Sequence, residues 1–289
     1  MQATLNFILS VVVAFTSLFG LLGEKYEVFK DIRYGEAERD LVNIYVPENA
    51  YDRDYNGCIL YIHGGSWQGG EKEEMSSHCK RMALKGYVTA TMSYSLCNDD
   101  NFGEVTAYTM VDEVGMCIQT IKDFSDEHEL NITKVATSGY SAGGHISMLY
   151  AYAHADECPL ELAFTANRVG PSDLSKEVWG SYSLASRLTG VRITDEMIEN
   201  GEAARLAADI SPVTYVTKDS VPSLFCYAGL DPLVIAGNRE SLLKVMRESG
   251  AVYTYVFYPL SAHGLLLDPW SEVIYYQHLY DYCETYFGY

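Results

Sequence analysis

The chain has 289 residues, 48% of them hydrophobic, with 39 acidic against 20 basic side chains and a net charge of −19. That length buries a full core and fits one α/β domain. A surface this acidic repels nucleic acid and anionic lipid headgroups and makes a polyanionic substrate a poor fit. The seven cysteines hold no C-x-x-C and the seven histidines no H-E-x-x-H, so no disulfide framework, metal or cofactor is expected, and a reducing compartment is the simpler reading.

Met1 to Gly23 carries no charged side chain, and residues 7–22 are strongly apolar. Three readings stand for residues 1–23: a helix resting on the protein or touching a membrane surface through residues 5–22, a membrane anchor, and a secretory signal. The n-region and cleavage site of a signal are weak here. The expected location is therefore cytoplasmic or membrane-associated, ahead of secreted. Residues 24–289 are the expected catalytic domain.

Residues 26–34 and 41–46 read as strands separated by a charged turn. Residues 58–62, Cys-Ile-Leu-Tyr-Ile, are a wholly apolar strand of the kind found at the centre of a parallel sheet. It runs into His63-Gly64-Gly65-Ser66-Trp67 and then a helix over 72–85. A strand follows at 87–94. A helix over 104–124 has Val111, Val114, Ile118 and Ile121 at helical spacing, with Met110 and Met116 expected as core filler. Next come a strand ending at Thr137 and a helix bearing Ile146, Met148, Leu149 and Tyr152. Between them lies Gly139-Tyr140-Ser141-Ala142-Gly143. So short a strand-to-helix turn holds its serine in a strained conformation at the tip, with helix-start amides behind it. Neither phosphate-loop pattern, G-x-G-x-x-G or G-x-x-x-x-G-K-[S/T], occurs in the chain.

A strand over 160–169 precedes residues 174–210, which break the strand–helix rhythm and read as a cap insert over the site. Trp179 in that insert either lines an acyl pocket or packs the insert onto the body. The strand at 221–228 ends in Gly229-Leu230-Asp231-Pro232 and is followed by a helix over 235–249. The strand at 252–258 ends in Ser261-Ala262-His263-Gly264, and an aromatic-rich helix over 271–287 closes the chain. The alternation implies a mostly parallel sheet with helices on both faces.

Ligands of such sheets meet the loops at the strands' carboxyl ends. Four of those loops carry, in order, a glycine pair, Ser141, Asp231 and His263. With these motifs the chain resembles the α/β-hydrolase family, and within it the HGG-motif esterases, the hormone-sensitive-lipase-like and kynurenine-formamidase-like group. Ser66 departs from the third glycine of many relatives. The resemblance implies a serine nucleophile at Ser141, a base at His263 oriented by Asp231, and an oxyanion hole from the amides of Ala142 and of Gly64 or Gly65. His63 would brace the glycine loop, and Asp173 is the alternative orienting acid. His145 is expected to pack against its helix, and Trp67, Tyr140 and Trp179 are the aromatic candidates for substrate contact. The implied activity is hydrolysis of a small uncharged carboxylic ester through an acyl-enzyme. Arylformamide hydrolysis, prolyl-type peptidase action and a non-catalytic fold relative are the alternatives.

Overall fold

The structure, a computed structural model, describes residues 25–288. The readings of residues 1–23 lie outside the described residues. Strands β1 (Tyr26–Arg33), β2 (Leu41–Pro47), β3 (Asn56–Ile62), β4 (Val88–Met92), β5 (Ile132–Tyr140), β6 (Glu161–Arg168), β7 (Ser223–Ala228) and β8 (Tyr253–Tyr258) form one eight-stranded sheet, ordered β1-β2-β4-β3-β5-β6-β7-β8. β1 and β2 pair antiparallel, as do β2 and β4, and every pairing from β4 to β8 is parallel. The carboxyl ends of β3 to β8 therefore share one edge.

β3 shows why the sheet is a middle layer. All its side chains are buried: Cys58, Leu60 and Ile62 enter one core, and Ile59 and Tyr61 the other. Strand side chains alternate faces, so an uninterrupted apolar strand needs cover on both sides. The first core is closed by α2 (Ala107–Glu127), α3 (Ala142–Ala153) and α8 (Ala236–Ser249), and the second by α1 (Ser76–Ala83) and α9 (Pro269–Tyr282). Each aliphatic side chain fully buried in these layers stabilises the fold by about 1.5–3 kcal/mol. Short helices α4 (Lys176–Trp179), α5 (Ser183–Thr189), α6 (Asp195–Glu199) and α7 (Glu202–Asp209) occupy the stretch between β6 and β7.

α2 starts at a capping box in which Thr106 and Thr109 exchange bonds, and its inner face carries Met110, Val114, Ile118 and Ile121. Met116 departs from expectation: it is 43% exposed, because at 100° per residue it points away from Val114 and Ile118. The helix expected from residue 72 begins instead as a 3₁₀ turn, Lys72–Met75. Thr91 donates its hydroxyl to the Lys72 carbonyl at 2.8 Å, and the Lys72 amide donates to Ser93 Oγ at 3.1 Å, so these groups are taken from outside the helix. At the other end α9 loosens into a π turn, Cys283–Gly288. There Phe287 packs face-on over Gly57, where an added Cβ would lie 2.2 Å from the ring, and Tyr55 donates its hydroxyl to the Gly288 carbonyl.

Candidate active site

β5 ends at Tyr140, and α3 begins at Ala142, so Ser141 alone makes the turn. Its φ of 54° and ψ of −120° lie outside the regions ordinary side chains prefer. The strain is held from both sides. The Ser141 amide donates to the Arg168 carbonyl at 3.0 Å. A Cβ on Gly143 would lie 2.1 Å from the Ile62 carbonyl oxygen, so only glycine lets α3 cross the end of β3. Ala142 opens the helix, and first-turn amides have no intrahelical acceptor. Val169, at the end of the neighbouring strand, has φ 45°, a genuine outlier for a β-branched residue. Such strain collects at sites where surrounding structure over-determines the backbone.

The glycine loop after β3 lies against this turn: a Cβ on Gly64 would fall 3.3 Å from Ser141 Cβ. Gly65 has φ 113°, and a side chain there would meet the Gly69 carbonyl at 2.1 Å. Ser66 and Trp67 follow at φ 54° and 61°. His63 is fully buried, stacks on Tyr94 at 4.3 Å between ring centres, and has Nδ1 2.6 Å from the Gly64 carbonyl. Burial pushes its pKa down to about 4 despite that bond, so the ring stays neutral and braces the loop. Arg39 holds the loop's far end, donating to the Tyr94 carbonyl at 2.9 Å and the Gly70 carbonyl at 2.6 Å.

Asp231 and His263 come together at the ends of β7 and β8. His263 Nδ1 is 2.8 Å from Asp231 Oδ2, and the aspartate side chain is 2% exposed. Asp231 Oδ1 accepts the amides of Leu233 and Val234 at 2.9 and 3.0 Å. Burial opposes its ionisation, but the histidine and these two amides outweigh burial and bring its pKa below the usual aspartate value. Asp173, the alternative acid, is engaged elsewhere: it accepts the Ser175 amide at 3.0 Å and the Ser241 hydroxyl at 2.6 Å. Among the described residues no hydrogen bond joins the Ser141 hydroxyl to His263 Nε2. The tie between them runs through Tyr140, whose ring edge meets the His263 ring at 5.5 Å and whose hydroxyl donates to the His263 carbonyl.

The first turn of α9 holds both sides of this arrangement. Asp268 accepts the Leu260 amide at 3.0 Å and the Ser261 hydroxyl at 2.6 Å, while the Ser261 carbonyl accepts the Leu230 amide at 3.0 Å, so the loops carrying His263 and Asp231 are stapled together. One turn on, Glu272 takes both terminal nitrogens of buried Arg168, at 2.6 and 3.3 Å, and the Tyr258 hydroxyl at 2.8 Å. Arg168 is the residue whose carbonyl receives Ser141. These two pairings were not found from sequence. A lone arginine in the apolar run of β6 was the available signal, since a buried charge needs a partner.

Burial opposes ionisation of Glu272, yet Arg168 and then Tyr258 draw its pKa below the usual glutamate value. A depressed carboxylate adds stability above its unfolded pKa, and that stability is lost as pH falls through the folded value. Glu272→Gln is therefore expected to destabilise the fold by about 2–3 kcal/mol at neutral pH, allowing for partial exposure of the glutamate. In calorimetry this reads as a Tm lower by roughly 5–10 °C. The gap to wild type should close as pH falls below the ordinary glutamate range; equal Tm at neutral pH would show that the pair contributes nothing.

The aromatic candidates divide. Tyr140 lies at the site as described. Trp67, expected against substrate, is 5% exposed and donates its indole N–H to His145 Nδ1 at 3.1 Å. The two positive φ values at Ser66 and Trp67 turn its side chain into the core. His145 is in turn 2.8 Å from the Ile210 carbonyl through Nε2, and burial pushes its pKa down to about 4. Trp179 is half-buried and donates to the Asp173 carbonyl at 2.7 Å, packing α4 against the body.

A family model described as BD-FAE matches residues 42–246, more than half of the chain. The chain belongs to the BD-FAE family. Its sequence is also 30% identical over 132 residues to a kynurenine formamidase of Drosophila melanogaster, a match covering 43% of this chain and 39% of that enzyme, so the chain spans about two-fifths of the relative's length. Among solved structures, a truncated carbohydrate esterase from gut microbiota superposes with a TM-score of 0.73 at 17% identity, covering 90% of this chain and 96% of that one. Esterase B from Lactobacillus rhamnosis, in a complex described as C6-C4 SN3 inhibited, superposes at 0.70 with 18% identity, covering 98% and 95%. At these identities the structures establish the shared fold, the α/β-hydrolase sheet. The family match covers every strand but β1 and β8, so His263 and the stapled first turn of α9 lie beyond it.

Proposed function

We propose that the protein is a serine hydrolase that cleaves a small carboxylic ester through an acyl-enzyme. The observation that carries the reading is the buried Asp231–His263 pair, tied through Tyr140 to a serine held at φ 54°. His263 takes the Ser141 proton as Oγ attacks the ester carbonyl. The resulting oxyanion is held by the Ala142 amide and by those of the glycine loop, Gly64 and Gly65. As the tetrahedral species collapses, His263 returns the proton to the departing alcohol. Water then repeats the sequence on the acyl-serine, releasing the acid. Asp231 fixes the imidazole tautomer with Nδ1 protonated and stabilises the imidazolium. The Ser141–His263 bond forms only when substrate is bound, since catalytic hydrogen bonds are often long or misaligned in resting hydrolases. Residues 174–210 serve as the cap, with Trp179 anchoring it.

Cleavage of an arylformamide is a second reading, favoured by the similarity to kynurenine formamidase. The same residues perform it, with an amine leaving group in place of an alcohol. Labelling by a fluorophosphonate probe tests both. Stoichiometric modification of Ser141, blocked by prior treatment with a phosphonate ester, is expected; an unmodified serine would leave only a non-catalytic fold relative.

A further inference from the structure

A cleft of about 430 Å³ opens between α5 and the loop after β4, lined by Asp99, Phe102, Ser183, Ser186, Arg187 and Arg192. Arg192 lies over the Phe102 ring at 4.9 Å. Both arginines are exposed, and among the described residues neither forms an ion pair or hydrogen bond, whereas Arg39, Arg168, Arg205 and Arg239 all pair with carboxylates. Two unpaired guanidinium groups in one cleft repel each other, in a chain with 39 carboxyl groups against 20 basic ones. A bound anion relieves that repulsion, and guanidinium forks suit a carboxylate. Ser183 accepts from Ser181 at 3.1 Å and so keeps its own proton to donate. Asp99 at the cleft disfavours a ligand with more than one negative charge.

The cleft's place in the sheet says which end of a substrate reaches it. The Cys97 amide donates to the Trp67 carbonyl at 2.8 Å, joining the loop after β4 to the glycine loop. The end of α5 packs on the same loop, where a Cβ on Gly190 would fall 2.5 Å from Gly103 Cα, and Arg187 lies in the last turn of that helix. In strand order, β4 lies two places to one side of β5, while β7 and β8, with Asp231 and His263, lie on the other. At about 4.8 Å per strand, the tip of β4, which leads into the cleft's loop, lies about 10 Å from the tip of β5, on the side away from His263. A leaving group must lie against His263 to receive its proton, so the acyl chain runs the opposite way, across the glycine loop.

We infer that this cleft binds a carboxylate at the far end of the acyl group, so that the preferred substrates are half-esters of medium-length dicarboxylic acids. The inference rests on the ester-hydrolase reading above and replaces the expected uncharged acyl group with one carrying a single charge. The test compares kcat/KM for p-nitrophenyl hemisuberate and p-nitrophenyl octanoate, which share a leaving group and differ in the terminal carboxylate. Wild type should favour the hemisuberate by about tenfold or more, and Arg187→Ala/Arg192→Ala should cut that ratio by at least about tenfold. The charge-keeping pair Arg187→Lys/Arg192→Lys should retain part of the preference, which a merely structural role would not produce. Octanoate turnover with no hemisuberate preference, or a ratio unchanged in the alanine pair, overturns the inference and leaves the hydrolase reading standing. No turnover of either ester, with no fluorophosphonate labelling, overturns both.

Discussion

Ser141→Ala is expected to lower turnover of a short p-nitrophenyl ester by roughly 10⁵-fold, and by no less than about 10³-fold, because no other group replaces the attacking oxygen. The fold should be unaffected. The Ser141 amide keeps its bond to the Arg168 carbonyl, and alanine adds no atom to the turn. A residue of this kind changes stability by about 0.5 kcal/mol or less when its side chain holds no structural partner. Residual activity would come from the amide donors, which still stabilise an oxyanion formed by attack of water. The check is kcat/KM together with far-UV circular dichroism and a melting curve. Near-normal turnover from a correctly folded variant would remove the serine from the reaction and, with it, the acyl-enzyme route.

Asp231→Asn should cost about 10⁴-fold in kcat while leaving substrate binding nearly unchanged. The local bonding dictates how the amide sits. Oδ1 accepts two backbone amides, from Leu233 and Val234, so the asparagine carbonyl must keep that position. Its NH₂ group then faces His263 Nδ1, where Asp231 Oδ2 now lies at 2.8 Å. A donor at that point forces Nδ1 to accept, which moves the ring proton to Nε2, the nitrogen that should receive the serine proton. The imidazole is held in place but in the tautomer that cannot act as a base. Loss of the negative charge also removes stabilisation of the imidazolium. A loss of only a few-fold, measured by steady-state kinetics, would mean that another group orients the histidine.

Much of the architecture was legible because strands at the centre of a parallel sheet must be apolar on both faces. Residues 58–62 could be little else, and the motifs at strand ends stood out against that background. The antiparallel pairing of β1 and β2 and the sheet order carry no such local signature. At the site, the serine turn and the Asp231 and His263 loops were visible as short motifs after apolar runs. The orientation of Trp67 was not, since it depends on two consecutive left-handed residues, Ser66 and Trp67, whose side chains do not favour that conformation. Met116 was misjudged on residue type where helical phase decides. Asp268 ties the nearby Leu260 and Ser261, and Glu272 reaches Arg168 far off in sequence; both act through polar side chains, which leave no periodic trace. Only the isolated Arg168 hinted at a buried partner.

β3 is gripped at both of its ends. At its foot, Gly57 lies under the Phe287 ring; at its tip, the chain enters the glycine loop beside Ser141. The close contact under the tail thus sits a full strand length from Ser141, so loss of the Phe287 ring is expected to lower heat tolerance apart from the reaction proposed at the other pole.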